Sequence, residues 1–431
     1  MTPEGRVSAA IEVLADIAER KRPASEALKD WGVSHRFAGS GDRAAIGNLV
    51  FDCLRKRASA AYAMGEDAPR ALVLRTLVID WGMSPDEVER LCDGSRFAPA
   101  PLSEAERDGL GRTLPEDAPA YVRGDYPEWL APAFADVFGD GAAAEGAALS
   151  MRAPVDLRVN TLKADRDKVL KALARYEAEP TPFAGAGVRI APREGPARSP
   201  HVEAEAGHGK GWFEVQDEGS QVAALMTGAG PKQQVIDLCA GAGGKTLALA
   251  AQMENTGQLY AYDADRLRLR PIFERLKRAG ARNVQVLPAG EADALAPLES
   301  KMDLVVIDAP CTGSGVWRRR PDAKWRLSPE MLEARRGEQA AVLDQGAPLV
   351  KPGGRIAYIT CSVLPSENRE QVGAFLARHP DFAVVPWRQV WAAALPVAAQ
   401  GSADGSEETL LMTPRSHGTD GFFVAVMRRE S

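Results

Sequence analysis

Asp237-Leu-Cys-Ala-Gly-Ala-Gly-Gly-Lys-Thr246 follows a short apolar run, 235–238, and opens a stretch of helix-forming residues. Its glycines permit a tight turn and let a ligand approach the backbone, while the helix that starts there offers free N–H groups. Working outward, further short apolar runs at 259–263, 284–287, 304–308 and 356–360 are mostly separated by helical stretches, and 422–427 offers a closing strand. Strands alternating with helices predict a parallel α/β sheet from residue 215 to 431.

Three ligand classes use such a loop. A phosphate-binding P-loop needs glycine five positions before Gly-Lys-Thr, and position 239 is cysteine. A dinucleotide fold wants GxGxxG, but Thr246 stands where the last glycine belongs. S-adenosylmethionine remains, a cation with a ribose that suits acidic residues at strand ends. Asp263 closes the second strand, 20 residues past Gly243, where it can hold a ribose diol. That placement fits NAD as well, so the loop alone does not choose the cofactor.

The rest of the chain bounds the answer. A length of 431 residues exceeds what one hydrophobic core usually supports. Residues 1–130 read as helical, since Val7, Ala10, Ile11, Leu14 and Ile17 recur at helical spacing, as do Ala45, Ile46, Leu49, Val50 and Cys53. The triplet Arg55-Lys-Arg57 ends a predicted helix and reads as a solvated end placed well against the helix dipole. Residues 131–214 read as a small mixed α+β subdomain, with a strand at 155–159, a helix at 168–176 and a loop-rich stretch at 180–200. No apolar run approaches the roughly 20 residues of a membrane helix, and the N-terminus lacks a signal-peptide core, so a cytoplasmic location is expected. Five scattered cysteines make neither a disulfide framework nor a zinc pair, and no metal is expected. The net charge of −6 does not advertise a nucleic-acid binder; local patches decide that question.

Two cysteines shift the odds toward chemistry. Asp308-Ala-Pro-Cys311-Thr-Gly-Ser-Gly315 and Thr360-Cys361-Ser362 each follow a predicted strand. In a parallel sheet both thiols then lie at the carboxyl edge, beside the cofactor crevice. A single cysteine is more often a buried packing residue. Two just past strand ends, one with an aspartate three residues before it, suit covalent catalysis.

These motifs resemble the bacterial rRNA (cytosine-5)-methyltransferases of the Fmu/Sun group, within the RNA 5-methylcytosine family. The resemblance also rests on Phe213-Glu-Val-Gln-Asp-Glu-Gly-Ser-Gln221, Arg318-Arg-Arg-Pro-Asp-Ala-Lys-Trp325, Glu367-Asn368 and Asp420-Gly-Phe-Phe423. It implies a Rossmann-like S-adenosylmethionine-dependent methyltransferase domain that methylates carbon 5 of a cytosine, with 16S rRNA as the expected substrate. Leu157-Arg-Val-Asn-Thr-Leu-Lys163 is similar to the family's small RNA-contacting subdomain, and the N-terminal helices to its NusB-type RNA-binding domain. Cys361 matches the covalent nucleophile, Cys311 the cysteine that assists release, and Asp308 the carboxylate near base and cofactor. The loop Cys239, Ala240, Gly241, Ala242, Gly243, Gly244 and Lys245 matches the cofactor site together with Asp263, and Lys245 joins the catalytic set. The loop lacks the family's usual proline. Where the family places an adenine-binding aspartate after the third strand, Ala289-Gly-Glu291 stands instead, and Glu291 is the expected substitute.

Arg318, Arg319, Arg320, Lys324 and Arg326 against Asp322 put five positive charges and one negative in nine residues, an expected site for an RNA backbone. Trp317 and Trp325 suit either base stacking or packing. A monomer is expected. The competing readings are a cytosine-5 methyltransferase of tRNA or 23S rRNA, and a non-catalytic RNA-binding or assembly factor.

Overall fold

A computed structural model describes residues 1–198 and 200–430, which divide into two compact units. The first comprises residues 1–152, a short stretch beginning at Pro192, and Trp317–Leu327. It is built of helices, from Pro3–Arg20 and Ala24–Ser34 through Ser40–Arg55 and Pro69–Ile79 to Ala142–Leu149. The apolar stripes read from the sequence, Val7, Ala10, Leu14 and Ile17 on one helix and Ile46, Leu49, Val50 and Cys53 on another, are buried in its core. Ser84 and Ser103 cap later helices through reciprocal bonds with Glu87 and Glu106.

Two sequence expectations change here. The helical layer does not end at residue 130: Ala131–Phe138 and Ala142–Leu149 continue it, because Phe134 and Leu149 are buried and Phe134 stacks on Tyr126 at 4.1 Å. Arg55 is not a solvated helix end, since it donates to Asp52 at 2.9 Å and to the carbonyl oxygen of Arg318 at 3.0 Å. The stretch at 180–200 is loop-rich as expected, with one strand inside it. Gly187–Ile190 forms a strand, and a Cβ on Gly187 would collide with the Thr181 side chain.

The second unit holds two sheets. The smaller contains β1 (Val155–Val159), β2 (Glu179–Pro180), β3 (Gly187–Ile190) and β4 (Phe213–Val215) in the order β2-β3-β1-β4, all antiparallel. It is tied to the larger sheet's layer by Asn160, whose amide donates to the Ala279 carbonyl at 2.8 Å. The larger sheet comprises β5 (Gln234–Asp237), β6 (Gln258–Ala261), β7 (Val284–Val286), β8 (Met302–Asp308), β9 (Val350–Thr360), β10 (Phe382–Val385), β11 (Leu410–Met412) and β12 (Phe422–Arg429). The order is β10-β12-β9-β8-β5-β6-β7, with β11 pairing β12. Five strands, β5 to β9, run parallel as expected. The pairs that β12 makes with β9, β10 and β11 are antiparallel. Strand order reverses between β5 and β8, and a ligand crevice forms outside the carboxyl ends of strands at such a point.

Candidate active site

At that reversal β5 ends on Asp237 and β8 on Asp308. Beyond β5 the glycine-rich loop turns into the helix Gly244–Gln252, whose N-cap Gly243 gives no side-chain cap. Gly241 and Gly243 both take positive φ, +48° and +85°, and a Cβ on Gly243 would lie 2.6 Å from Ile272 Cγ1. The loop is held from three sides. Asp263 accepts the Gly241 N–H at 2.9 Å, Arg275 donates to the Ala242 carbonyl at 2.9 Å, and Arg158 to that of Gly244 at 3.4 Å. Gly244 itself has no neighbour closer than 4.0 Å to a built Cβ, so backbone remains open on that side. Below the loop Asp237 is buried. Thr246 donates to its Oδ2 at 2.7 Å, its Oδ1 has no partner among the described residues, and burial pushes its carboxyl up to about 7. Open helix N–H groups, an orphaned buried oxygen and the acids Asp263 and Asp308 fit a cationic, ribose-bearing cofactor such as S-adenosylmethionine.

Lys245, on the first turn of that helix, points its ammonium at Asp308 Oδ2, 2.9 Å away. It also donates to Ser220 Oγ at 3.2 Å and lies over the Phe422 ring. Asp308 is 36% exposed, so one carboxylate is both fixed by a buried cation and reachable from outside.

Asp308 pairs with Ile359 in the parallel register of β8 and β9, which carries the two following loops side by side. Cys311 Sγ and Cys361 Sγ are 3.3 Å apart, as free thiols. The backbones are locked as well: Gly315 donates to the Cys361 carbonyl at 2.9 Å, and Gly421 to that of Gly315 at 2.8 Å. A Cβ on Gly315 would collide with the Gly421 carbonyl. Behind the thiols lies Glu367, fully buried, accepting from Thr312 N at 2.8 Å, Thr312 Oγ1 at 2.5 Å, Gln339 Nε2 at 3.0 Å and Ser362 Oγ at 2.5 Å. The Cys311 thiol is held well above its ordinary range, first by its hydrogen bond with Cys361, then by burial and by the charges of Cys361 and Glu367. Burial does the same to Cys239, helped by Asp237, Asp263 and Asp308, which disfavours its thiolate.

Cys311, Cys361, Asp308 and Lys245 thus meet at one sheet edge with the glycine loop, Asp237 and Asp263. Glu291 lies past β7, exposed, after Gly290, whose built Cβ would approach the Ala264 carbonyl at 3.1 Å. It lines a cavity of about 800 Å³ with Arg266, Arg270 and Phe273.

The arginine-rich segment departs from expectation. Trp317–Leu327 belongs to the helical unit. Lys324 is 0% exposed, donating to the Arg55 carbonyl at 3.1 Å and Ser150 Oγ at 2.9 Å, and Arg318 is buried too. A phosphate contact from either side chain is therefore corrected to a packing role. Trp317 is buried and stacks 6.1 Å from Phe134, and Trp325 donates to the Leu54 carbonyl at 2.6 Å. Arg326 is half-buried on Asp322, Arg319 is half-buried, and Arg320 is exposed. Glu367, Ser220 and Phe422 had appeared in the sequence only inside motifs, with no role attached. An acidic residue six positions past Cys361 was the available signal for the first.

A family model described as 16S rRNA methyltransferase RsmB/F matches residues 225–428, and one for the ferredoxin-like domain of RsmF/B-like methyltransferases matches 126–193. A protein of Synechocystis named "Probable ribosomal RNA small subunit methyltransferase B" is 32% identical over 309 residues, 70% of this chain and 67% of that one. Ribosomal RNA small subunit methyltransferase B of Salmonella typhi is 35% identical over 273 residues, 63% of this chain and 62% of that one. The chain therefore spans about two thirds of the length of the curated relatives it matches. The solved structure of NSun6 from Pyrococcus horikoshii with SFG, 22% identical, superposes with a TM-score of 0.61 over 71% of this chain and 98% of that one.

Proposed function

The chain belongs to the RsmB/F family of 16S rRNA methyltransferases, and from that premise we propose that it methylates carbon 5 of a cytosine in ribosomal RNA, 16S rRNA first among candidates. The observation that carries the reading is the pair of thiols 3.3 Å apart, past the ends of neighbouring parallel strands, beside a lysine-paired aspartate. S-adenosylmethionine, when bound, supplies an electrophilic methyl group on a sulfonium.

The chain's own residues supply the rest. Carbon 5 of cytosine is too weak a nucleophile to take a methyl group unaided. The Cys361 thiolate adds to carbon 6, which turns the ring into an enamine with a nucleophilic carbon 5. Asp308, steadied by Lys245, hydrogen-bonds the ring at nitrogen 3 and stabilises the charge that develops there. After transfer, a base removes the proton from carbon 5 and the Cys361–carbon 6 bond breaks; Cys311 assists this release. Asp263 holds the ribose, Glu291 the adenine, and the backbone from Cys239 to Gly244 the remainder of the cofactor. The helical unit, as a NusB-like domain, grips RNA.

The two cysteines make separable predictions. Cys361→Ala abolishes methylation and forms no covalent complex with RNA carrying 5-fluorocytosine. Cys311→Ala still transfers the methyl group but accumulates a protein–RNA conjugate that survives denaturing electrophoresis. A Cys361→Ala protein with wild-type turnover overturns the reading, and conjugates formed by Cys361→Ala alone reverse the two roles. Bisulfite sequencing of rRNA and tRNA from a deletion strain identifies the substrate: a lost mark in tRNA or 23S rRNA replaces 16S rRNA.

A further inference from the structure

We propose that Glu367 is the positioning residue of this site: one buried carboxylate fixes the Cys311 loop and the Cys361 loop at the separation the two thiols need. What the thiols do rests on the reading above; how they are held does not.

Glu367 gathers donors from three separate segments. Thr312 follows Cys311, Ser362 follows Cys361, and Gln339 sits on the helix Pro329–Gly346. Each thiol therefore has as its chain neighbour a residue bonded to the same carboxylate. Gln339 also donates to the Pro310 carbonyl at 2.9 Å, which holds the other side of Cys311. Ser314 Oγ and Ser362 Oγ, 2.9 Å apart, close a second link between the loops. Tyr358, whose hydroxyl donates to the Glu367 carbonyl at 2.7 Å, and Asn368, which donates to the Ser362 carbonyl at 2.9 Å, fix the backbone that carries the carboxylate.

The four donors to the carboxylate are neutral, and a carboxylate out of water persists only when its oxygens are fully bonded, as these are. Its charge has a second effect. The titratable groups around the Cys311 thiol are Cys361, Glu367 and the Tyr358 phenol, with Asp308, paired to Lys245, three residues back along the chain. A negative charge at Glu367 discourages a thiolate beside it. The same side chain thus sets the distance between the thiols and restrains the ionisation of Cys311.

The full-length chain tests this through Glu367→Gln, which keeps shape and removes charge. The amide can still meet Thr312 Oγ1 and Ser362 Oγ, because hydroxyls donate or accept. Alkylation of Cys311 by iodoacetamide, followed across pH by mass spectrometry, should shift to lower pH by about half to one unit. A curve superimposed on the wild type's overturns the charge effect. In Thr312→Val one donor is lost and the charge stays; kcat for methylation should fall several-fold, with the alkylation curve unmoved. Wild-type kcat in Thr312→Val overturns the positioning role, and this variant serves should Glu367→Gln fail to fold. A wild-type chain that methylates no RNA strikes the functional reading instead and leaves the alkylation comparison standing.

Discussion

Gly243 and Gly244 are neighbours in one loop with opposite tolerance for a side chain. At Gly243, φ is +85° and a Cβ would press on Ile272 at 2.6 Å, whereas at Gly244 the nearest atom, Gln216 Nε2, lies 4.0 Å away. Gly243→Ala should therefore lower stability by about 1–3 kcal/mol through backbone strain and the clash. Gly244→Ala should leave stability within about 0.5 kcal/mol and weaken S-adenosylmethionine binding, because its methyl projects where backbone must meet ligand. Thermal unfolding and titration calorimetry on the two variants check both. Cys311, Cys361, Asp308 and Lys245 could be picked out from the sequence because each sits at or within three residues of a recognisable strand end, or within the glycine loop itself. Glu367 could not be read the same way. Its importance depends on Thr312, Gln339 and Ser362 arriving from three places, which no local spacing records.

At the scale of elements, strands β5 to β9 announced themselves as apolar runs because both faces of a parallel sheet are covered. Short β2, with both residues exposed, carried no such signal, and β3 was hidden among glycines and prolines. The helix Pro321–Arg326 was misread for another reason. Charge density along a chain does not say which cations a buried tryptophan will carry inside with it. Lys324 went in, and burial lowers its ammonium from 10.5 to about 7. In the unfolded chain it stays protonated up to about 10.4. Between pH 7 and 10 the unfolded state thus binds the extra proton, so Lys324 makes wild-type stability rise with pH in that window. Against Lys324→Met, wild type should gain up to about 1.4 kcal/mol per pH unit from pH 7 to 10, levelling off below 7. Parallel melting curves at several pH values measure it, and a constant difference between the two proteins contradicts it.

For the whole molecule, the helical unit is not a contiguous block at the front of the chain. Its buried residues include Trp317 and Lys324, delivered by a segment about 165 residues past Arg152. A fragment covering 153–431 leaves Trp317 and Trp325 without the Phe134 ring and the Leu54 carbonyl that receive them. Such a fragment should show red-shifted tryptophan emission and scatter light on mild heating, where the full chain does neither. A fragment with native-like emission would mean the segment packs acceptably without the helices. The same interlacing sets a timetable. A ribosome adds about 5–20 residues per second. The front helices then wait roughly 8–35 s for Trp317 to emerge. During that interval their hydrophobic seat for the indole stands open to solvent, and it is in this newborn state, before any RNA is met, that the chain most needs a chaperone's cover.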